Sequence, residues 1–232
     1  MPFTFSHPAA TLPLAYIPKK YISITGLVIG SMTPDFEYFF RLKHLKTVSH
    51  TWSGMFWFDL PLGIALLIVF NVVIRDALIE NVPLFLNRRL SRFDTTLGKD
   101  HIQKNILVII TCLLIGIASH LVWDRLTHKT SAIVKYHWED LYGTIWEANS
   151  LCGAAIIAFS IWKLPKAEKT KKENIYPFWI MVFSIAFIMI YLYYPFAQRI
   201  TDLVIPFISG GLLGLIVACM VDRIIYMWEM KF

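Results

Sequence analysis

Asn105–Trp123 reads NILVIITCLLIGIASHLVW, with no formally charged residue. A helix needs about 20 mostly apolar residues to cross the hydrocarbon core of a bilayer. This stretch meets that length and then turns polar at once, into Asp124-Arg125-Leu126-Thr127-His128. It sets two expectations: the chain lies in a membrane, and its polar chemistry collects where a span ends.

The composition of the whole chain agrees. Of 232 residues, 56% are hydrophobic and only 16% charged, where a soluble domain carries roughly 25% charge. That balance excludes a disordered chain, a coiled coil, an ordinary nucleic-acid-binding domain and a disulfide-stapled module. Four more stretches are long and apolar enough to span: Met55–Ile74, Ile145–Leu164, Pro177–Phe196 and Leu203–Trp228. The expected fold is therefore all-α, a polytopic membrane protein with about five transmembrane helices. Residues 1–232 form a single integral membrane domain, in which 1–54 is an N-terminal segment supplying metal ligands. Ile22–Met32 is too short to span and reads as a re-entrant or interfacial helical segment. Pro8 and Pro13 interrupt the first apolar stretch and no basic run precedes it, so the first insertion signal is Met55–Ile74.

Asp59, Asp222 and Arg223, which lie inside these runs, fall near span ends, where they cost less. Trp57, Trp123, Trp146, Trp162, Trp179 and Trp228 also fall near span ends, as an aromatic belt does. Five spans place nine Lys and Arg residues on one side and thirteen on the other. The richer side, which includes the Lys163–Lys172 cluster, is expected to be cytoplasmic. The net charge of +6 then faces anionic lipid. Cys112, Cys152 and Cys219 lie in apolar runs without a CxxC pair and read as small buried hydrophobes. Gly26–Gly30 and Gly210–Gly214 have the spacing of close helix contacts.

The scarce polar residues are unevenly placed. His120 and Asp124 are four apart, so both project from one helix face. A neutral imidazole and a carboxylate so placed can hold one divalent ion or join two helices by hydrogen bonds. Earlier in the chain, His7 sits in Phe5-Ser6-His7-Pro8. Asp35 follows Thr33-Pro34, which reads as an N-cap and first helical residue. His50 lies in Ser49-His50-Thr51-Trp52-Ser53 and taken alone reads as a loop histidine. Span parity puts His7, Asp35, His50, His120 and Asp124 on one side of the membrane, which favours a shared metal site. Mixed nitrogen and oxygen ligands suit zinc, with manganese or iron as alternatives. His128, His137, Glu139, Asp140 and Glu147 follow on the same side and are candidates for a second metal position or a general base. Asp35 is a ligand or the base. Asp59 and Asp202 are weaker candidates, and His44 and His101 read as solvated.

The segments MPFTFSHPAATLPL, LVIGSMTPDFEYFF and SHLVWDRLTH resemble a family of uncharacterised prokaryotic membrane proteins over roughly residues 1–150. More remotely, the ligand order resembles inner-membrane metal-dependent hydrolases and the zinc-dependent phospholipase C and P1 nuclease superfamily. Those all-helical enzymes place an early His, an Asp, a His and a His-x-x-x-Asp in the order of His7, Asp35, His50 and His120-x-x-x-Asp124. His128 matches their next histidine. Leu141 stands where their later His-x-x-x-Glu would end after His137, leaving Glu139 or Glu147 as substitutes. The resemblance implies a membrane-embedded metal-dependent hydrolase acting on a phosphoester or lipid at headgroup depth, with membrane lipids as partners and no nucleic acid. It also implies residence in a prokaryotic inner or plasma membrane; the Lys and Arg counts put the site on the extracytoplasmic face. A non-enzymatic metal or ion transporter, or a structural subunit, is the competing reading.

Overall fold

The computed structural model describes residues 3–18, 20–45, 47–91, 106–127, 141–167 and 174–229. Among these residues the protein is helical throughout, with no strand. Eight α-helical elements follow in order: α1 Ile24–Met32, α2 Phe36–Arg41, α3 Met55–Asn81, α4 Leu84–Leu90, α5 Ile106–Thr127, α6 Tyr142–Lys163, α7 Tyr176–Tyr193 and α8 Val204–Glu229. Helices α3, α5 and α6 are long and apolar enough to cross a membrane, as are α7 and α8 with their adjoining 3-10 turns. The protein is an integral membrane protein of the expected class.

The first span runs seven residues past the expected Ile74. Helical geometry does not stop where the apolar run does, and Arg75 Nε donates to Asp76 Oδ1 at 2.7 Å on the way. It stops at Val82, whose ψ of 159° is the extended conformation that the following Pro83 imposes. Two π-helical turns, Met55–Asp59 and Phe70–Ile74, interrupt α3. Asp59, five residues into this helix, is fully buried. Cys152 is exposed, whereas Cys112 and Cys219 are buried. On α6 only Gly153 is buried, so a small residue there gains no packed environment.

The chain forms two compact units, Met1–Phe36 with Lys46–Leu67 and Gly98–Leu164, and Glu37–Leu45 with Ile68–Leu97 and Pro165–Phe232. In the second, α7 packs on α8. The glycines Gly210 and Gly214 make this possible, because an added Cβ would lie 2.8 Å from Ala186 Cα and 2.7 Å from Val182 O. Trp179 Nε1 donates to Asn81 O at 2.7 Å, and Asn81 Nδ2 reaches Asp222 at 3.3 Å. Asp202 is exposed, and its Oδ2 accepts from the backbone N–H groups of Gln198 and Arg199 at 3.0 Å. It caps a helix start. His44 is exposed, as expected, but stacks on Tyr38 with ring centroids 4.6 Å apart.

The first unit is built on α1 against α5. Ser23 caps α1 by accepting from Gly26 N at 3.1 Å. A Cβ on Gly30 would lie 2.3 Å from Leu113 O, and one on Gly116 would lie 2.5 Å from Leu27 O and 2.7 Å from Ser31 N. Glycine at both positions lets the two backbones touch. Leu67, Ile109 and Leu113 fill the core beside them, and Met55, Ile117 and Leu121 form a second cluster one turn nearer the site.

A candidate metal centre

Each ligand candidate is delivered by a different local device. His7 lies on a 3-10 helix, Thr4–Ala10, that is fastened to α6. Phe3 N donates to Ser150 Oγ at 2.9 Å and Ser6 Oγ donates to Ser150 O at 2.8 Å. Gly153 admits this segment, since a Cβ there would sit 2.7 Å from Ser6 Cβ.

Asp35 ends a 3-10 turn, Thr33–Asp35, that continues directly from α1. Thr33 is not the expected N-cap. Its backbone is helical, and its hydroxyl donates back to Ile29 O at 2.7 Å, so no free first-turn amide awaits it.

His50 is not an exposed loop histidine, because its side chain is only 8% exposed. The turn that holds it is tight. Thr51 Oγ1 accepts from Gly54 N at 2.9 Å and donates to Val48 O at 2.8 Å. A Cβ on Gly54 would lie 2.0 Å from Val48 O, so only glycine fits this turn.

His120 and Asp124 occupy one face in the last turns of α5, as their spacing predicts.

All five side chains converge. His120 and Asp35 are fully buried, His7 is 3% exposed and Asp124 4%. His50 Nε2 lies 3.3 Å from His120 Nε2, 3.5 Å from Asp35 Oδ1 and 3.4 Å from Asp124 Oδ2. His120 Nε2 lies 3.5 Å from Asp35 Oδ1 and 4.0 Å from Asp124 Oδ2. Four donors at Zn–N and Zn–O distances of about 2.0–2.1 Å have tetrahedral edges of about 3.3 Å. Four of the five separations match that edge within a few tenths of an ångström. His7 approaches the other oxygen of Asp124, with Nε2 3.9 Å from Oδ1. It stacks on His120 with centroids 3.9 Å apart. Two overlapping groups thus have the spacing of metal ligands: His7, Asp35 and His120, and His50, His120 and Asp124.

The neighbours of the ligands point them inward. His120 Nδ1–H donates to Ser31 O at 2.8 Å, which turns Nε2 to the cluster. His50 Nδ1 pairs with Ser49 Oγ at 2.9 Å and likewise leaves Nε2 facing in. Ligating histidines are characteristically fixed in this way.

The electrostatics also favour a cation. Both ring nitrogens of His7 and both carboxylate oxygens of Asp35 are buried without a hydrogen-bond partner. Burial, with His120 beside it, pushes His7 down to about 3, so it is a neutral imidazole with a lone pair to give. Burial alone would raise Asp35, but the imidazoles of His120, His50 and His7 outweigh it and hold the carboxyl below its ordinary value. Burial would lower His50, but Asp124 and Asp35 outweigh it and raise it. A proton on His50 offsets one of the two carboxylate charges, whereas a divalent ion offsets both. Leaving such charge unbalanced in a buried site costs several kcal/mol.

Of the further candidates, Glu147 is exposed on α6 and outside the cluster. His101, His128, His137, Glu139 and Asp140 lie outside the described residues. Ser31, Ser49 and the glycine contacts were not singled out as parts of the site. The Gly26–Gly30 spacing is the sequence signal for the glycine contacts, and nothing in the sequence marks Ser31 or Ser49.

The chain matches the family described as "Domain of unknown function (DUF4184)" over residues 1–220. No curated protein and no solved structure matches it. The chain belongs to this family, in keeping with the resemblance to uncharacterised membrane proteins.

Proposed function

For this member of a family of unknown function, we propose a membrane-embedded metal-dependent hydrolase. Its divalent ion or ions are held by His7, Asp35, His50, His120 and Asp124. The observation that carries the reading is the set of donor separations of 3.3–3.5 Å among His50, His120, Asp35 and Asp124, close to the edge of a tetrahedral site. Zinc suits this donor set best, and manganese or iron is compatible with it. An ion there would acidify a ligated water and polarise a phosphoryl or acyl oxygen. The chain's own residues orient the donors: Ser31 and Ser49 fix two imidazoles, and Asp35, buried among three imidazoles, serves as ligand or base. The ligand order, resembling that of zinc-dependent phospholipases C and P1 nucleases, supports hydrolysis of a phosphoester. The position at the end of α5 supports a lipid or lipid-linked substrate at headgroup depth. The Lys and Arg asymmetry supports an extracytoplasmic site in a prokaryotic inner or plasma membrane.

One observation favours ion transport instead: Asp59, buried on α3, since buried carboxylates within spans often mark ion paths.

Metal analysis of detergent-purified protein, wild type against His120→Ala and Asp124→Ala, separates the readings. Stoichiometric metal in the wild type, reduced in both variants, with turnover on a panel of phosphoesters and phospholipids, is the expected result. Wild type free of metal under non-chelating conditions sinks the hydrolase. Bound metal without turnover favours transport.

A further inference from the structure

Arg125 directly follows the ligand Asp124, and its guanidinium lies over the ring of Trp52, 5.2 Å from the centroid. Trp52 is two residues beyond the ligand His50. The pair therefore joins, at the rim of the cluster, the two elements that carry His50 and Asp124. Both residues are exposed.

Arg125, like Arg88, contrasts with four other arginines of the protein. Arg41, Arg75, Arg89 and Arg223 each donate to a protein acceptor. Among the described residues Arg125 has no hydrogen bond or ion pair. A guanidinium over an indole ring makes no conventional hydrogen bond to it, so the N–H fork of Arg125 remains available. That fork matches the oxygens of a phosphate two at a time, and it stays charged at every working pH. The indole removes much of the side chain's freedom beforehand, so less order is lost on binding.

We propose that Arg125, held on Trp52, recognises the phosphate of the substrate at the mouth of the metal centre, and that the substrate class is a phosphate-bearing lipid. This rests on the hydrolase reading for the word substrate, but the binding it describes can be measured without turnover. The end of α5 and exposed Trp52, Trp57 and Trp123 belong at the depth where lipid phosphates lie.

The test is calorimetric titration of detergent-purified protein with three probes: short-chain phosphatidylglycerol, the matched diacylglycerol, and inorganic phosphate. The expected result is binding of the phosphatidylglycerol, weakened about tenfold or more by Arg125→Gln, the loss of a charge-assisted pair of hydrogen bonds. Arg125→Lys recovers only part of it, because an ammonium lacks the fork. Trp52→Phe stays near wild type and Trp52→Ala loses a severalfold factor. The diacylglycerol shows no dependence on Arg125. If inorganic phosphate shows the full dependence, the site reads phosphate from any source and the lipid assignment fails; if it shows little, the acyl chains contribute and the assignment stands. Metal content, measured in parallel, stays at the wild-type level in every variant. Phosphatidylglycerol binding unchanged by Arg125→Gln overturns the proposal and leaves the metal reading standing. Loss of metal in Arg125→Gln also overturns it, since the pair then only holds the His50 turn in place. An Arg125-dependent difference in a protein that holds no metal sinks the hydrolase and keeps this site.

Discussion

Gly116→Ala tests whether helix contact sets the ligand geometry. The added methyl would lie 2.5 Å from Leu27 O, 2.7 Å from Ser31 N and 2.9 Å from Gly30 C. All three are backbone atoms, so no side-chain rotation relieves the clash. Ordinary contact needs about 3.5 Å, so α1 must retreat by about 1 Å. The His120 Nδ1 to Ser31 O bond of 2.8 Å would then open to about 3.8 Å, past the limit of a hydrogen bond. Asp35 follows Ser31 by four residues and moves with it. Losing a partner that orients a ligand costs about 10–100-fold in metal affinity, and overpacking costs about 1–3 kcal/mol of stability. Chelator-competition titration with Zn2+ and thermal unfolding in detergent read the two effects separately. Gly211→Ala is the control, because nothing lies within 4 Å of its added methyl; it should leave metal affinity unchanged. Gly116→Ala with wild-type zinc affinity would refute the reasoning, since the ligands would then be positioned without the α1–α5 contact.

Three further expectations concern other parts of the molecule. In metal-free protein, His50 is raised above its ordinary 6.5, so its protonation stabilises the folded state below that value and the gain is lost as pH rises through the raised value. Added Zn2+ should therefore raise the unfolding temperature chiefly on the alkaline side, where no proton competes; a zinc effect greatest at acid pH contradicts this. Trp179→Phe removes the donor to Asn81 O, a 2.7 Å bond, and should cost about 1–3 kcal/mol in thermal unfolding while metal content stays at the wild-type level. Lys166→Cys should react with impermeant maleimide only from the cytoplasmic side; labelling from outside in intact cells reverses the orientation.

The sequence announces the apolar helices because bilayer crossing demands a long uninterrupted run, and α5 covers the expected Asn105–Trp123 from Ile106 and runs on to Thr127. The His120 and Asp124 pairing is equally local, fixed by helical period. Span parity puts His7, Asp35 and His50 on one side, but it does not bring them into one buried cluster. That convergence depends on backbone approach at Gly30, Gly116 and Gly153, and a glycine's neighbour is a tertiary fact. Asp35 illustrates the gap. Its helix-start reading was reasonable locally, yet α1 continues through Thr33, and the carboxylate belongs to a buried cluster. The burial of Asp59 is equally invisible in the run, because it depends on which helix face meets α5 and Thr33.

The attachment of the N-terminal 3-10 helix to α6 has a consequence for biogenesis. Phe3 pairs with Ser150 across 147 positions of chain, so His7, made well before Ser150, has no docking surface until the third span has been made. The centre must close late, after His50, His120 and Asp124 have come together without it. Long-range closure of this kind is slow, and a nascent chain halted before Ser150 would expose a site lacking one donor. Release of the finished third span, rather than emergence of the His and Asp residues themselves, sets the moment at which the cluster is complete.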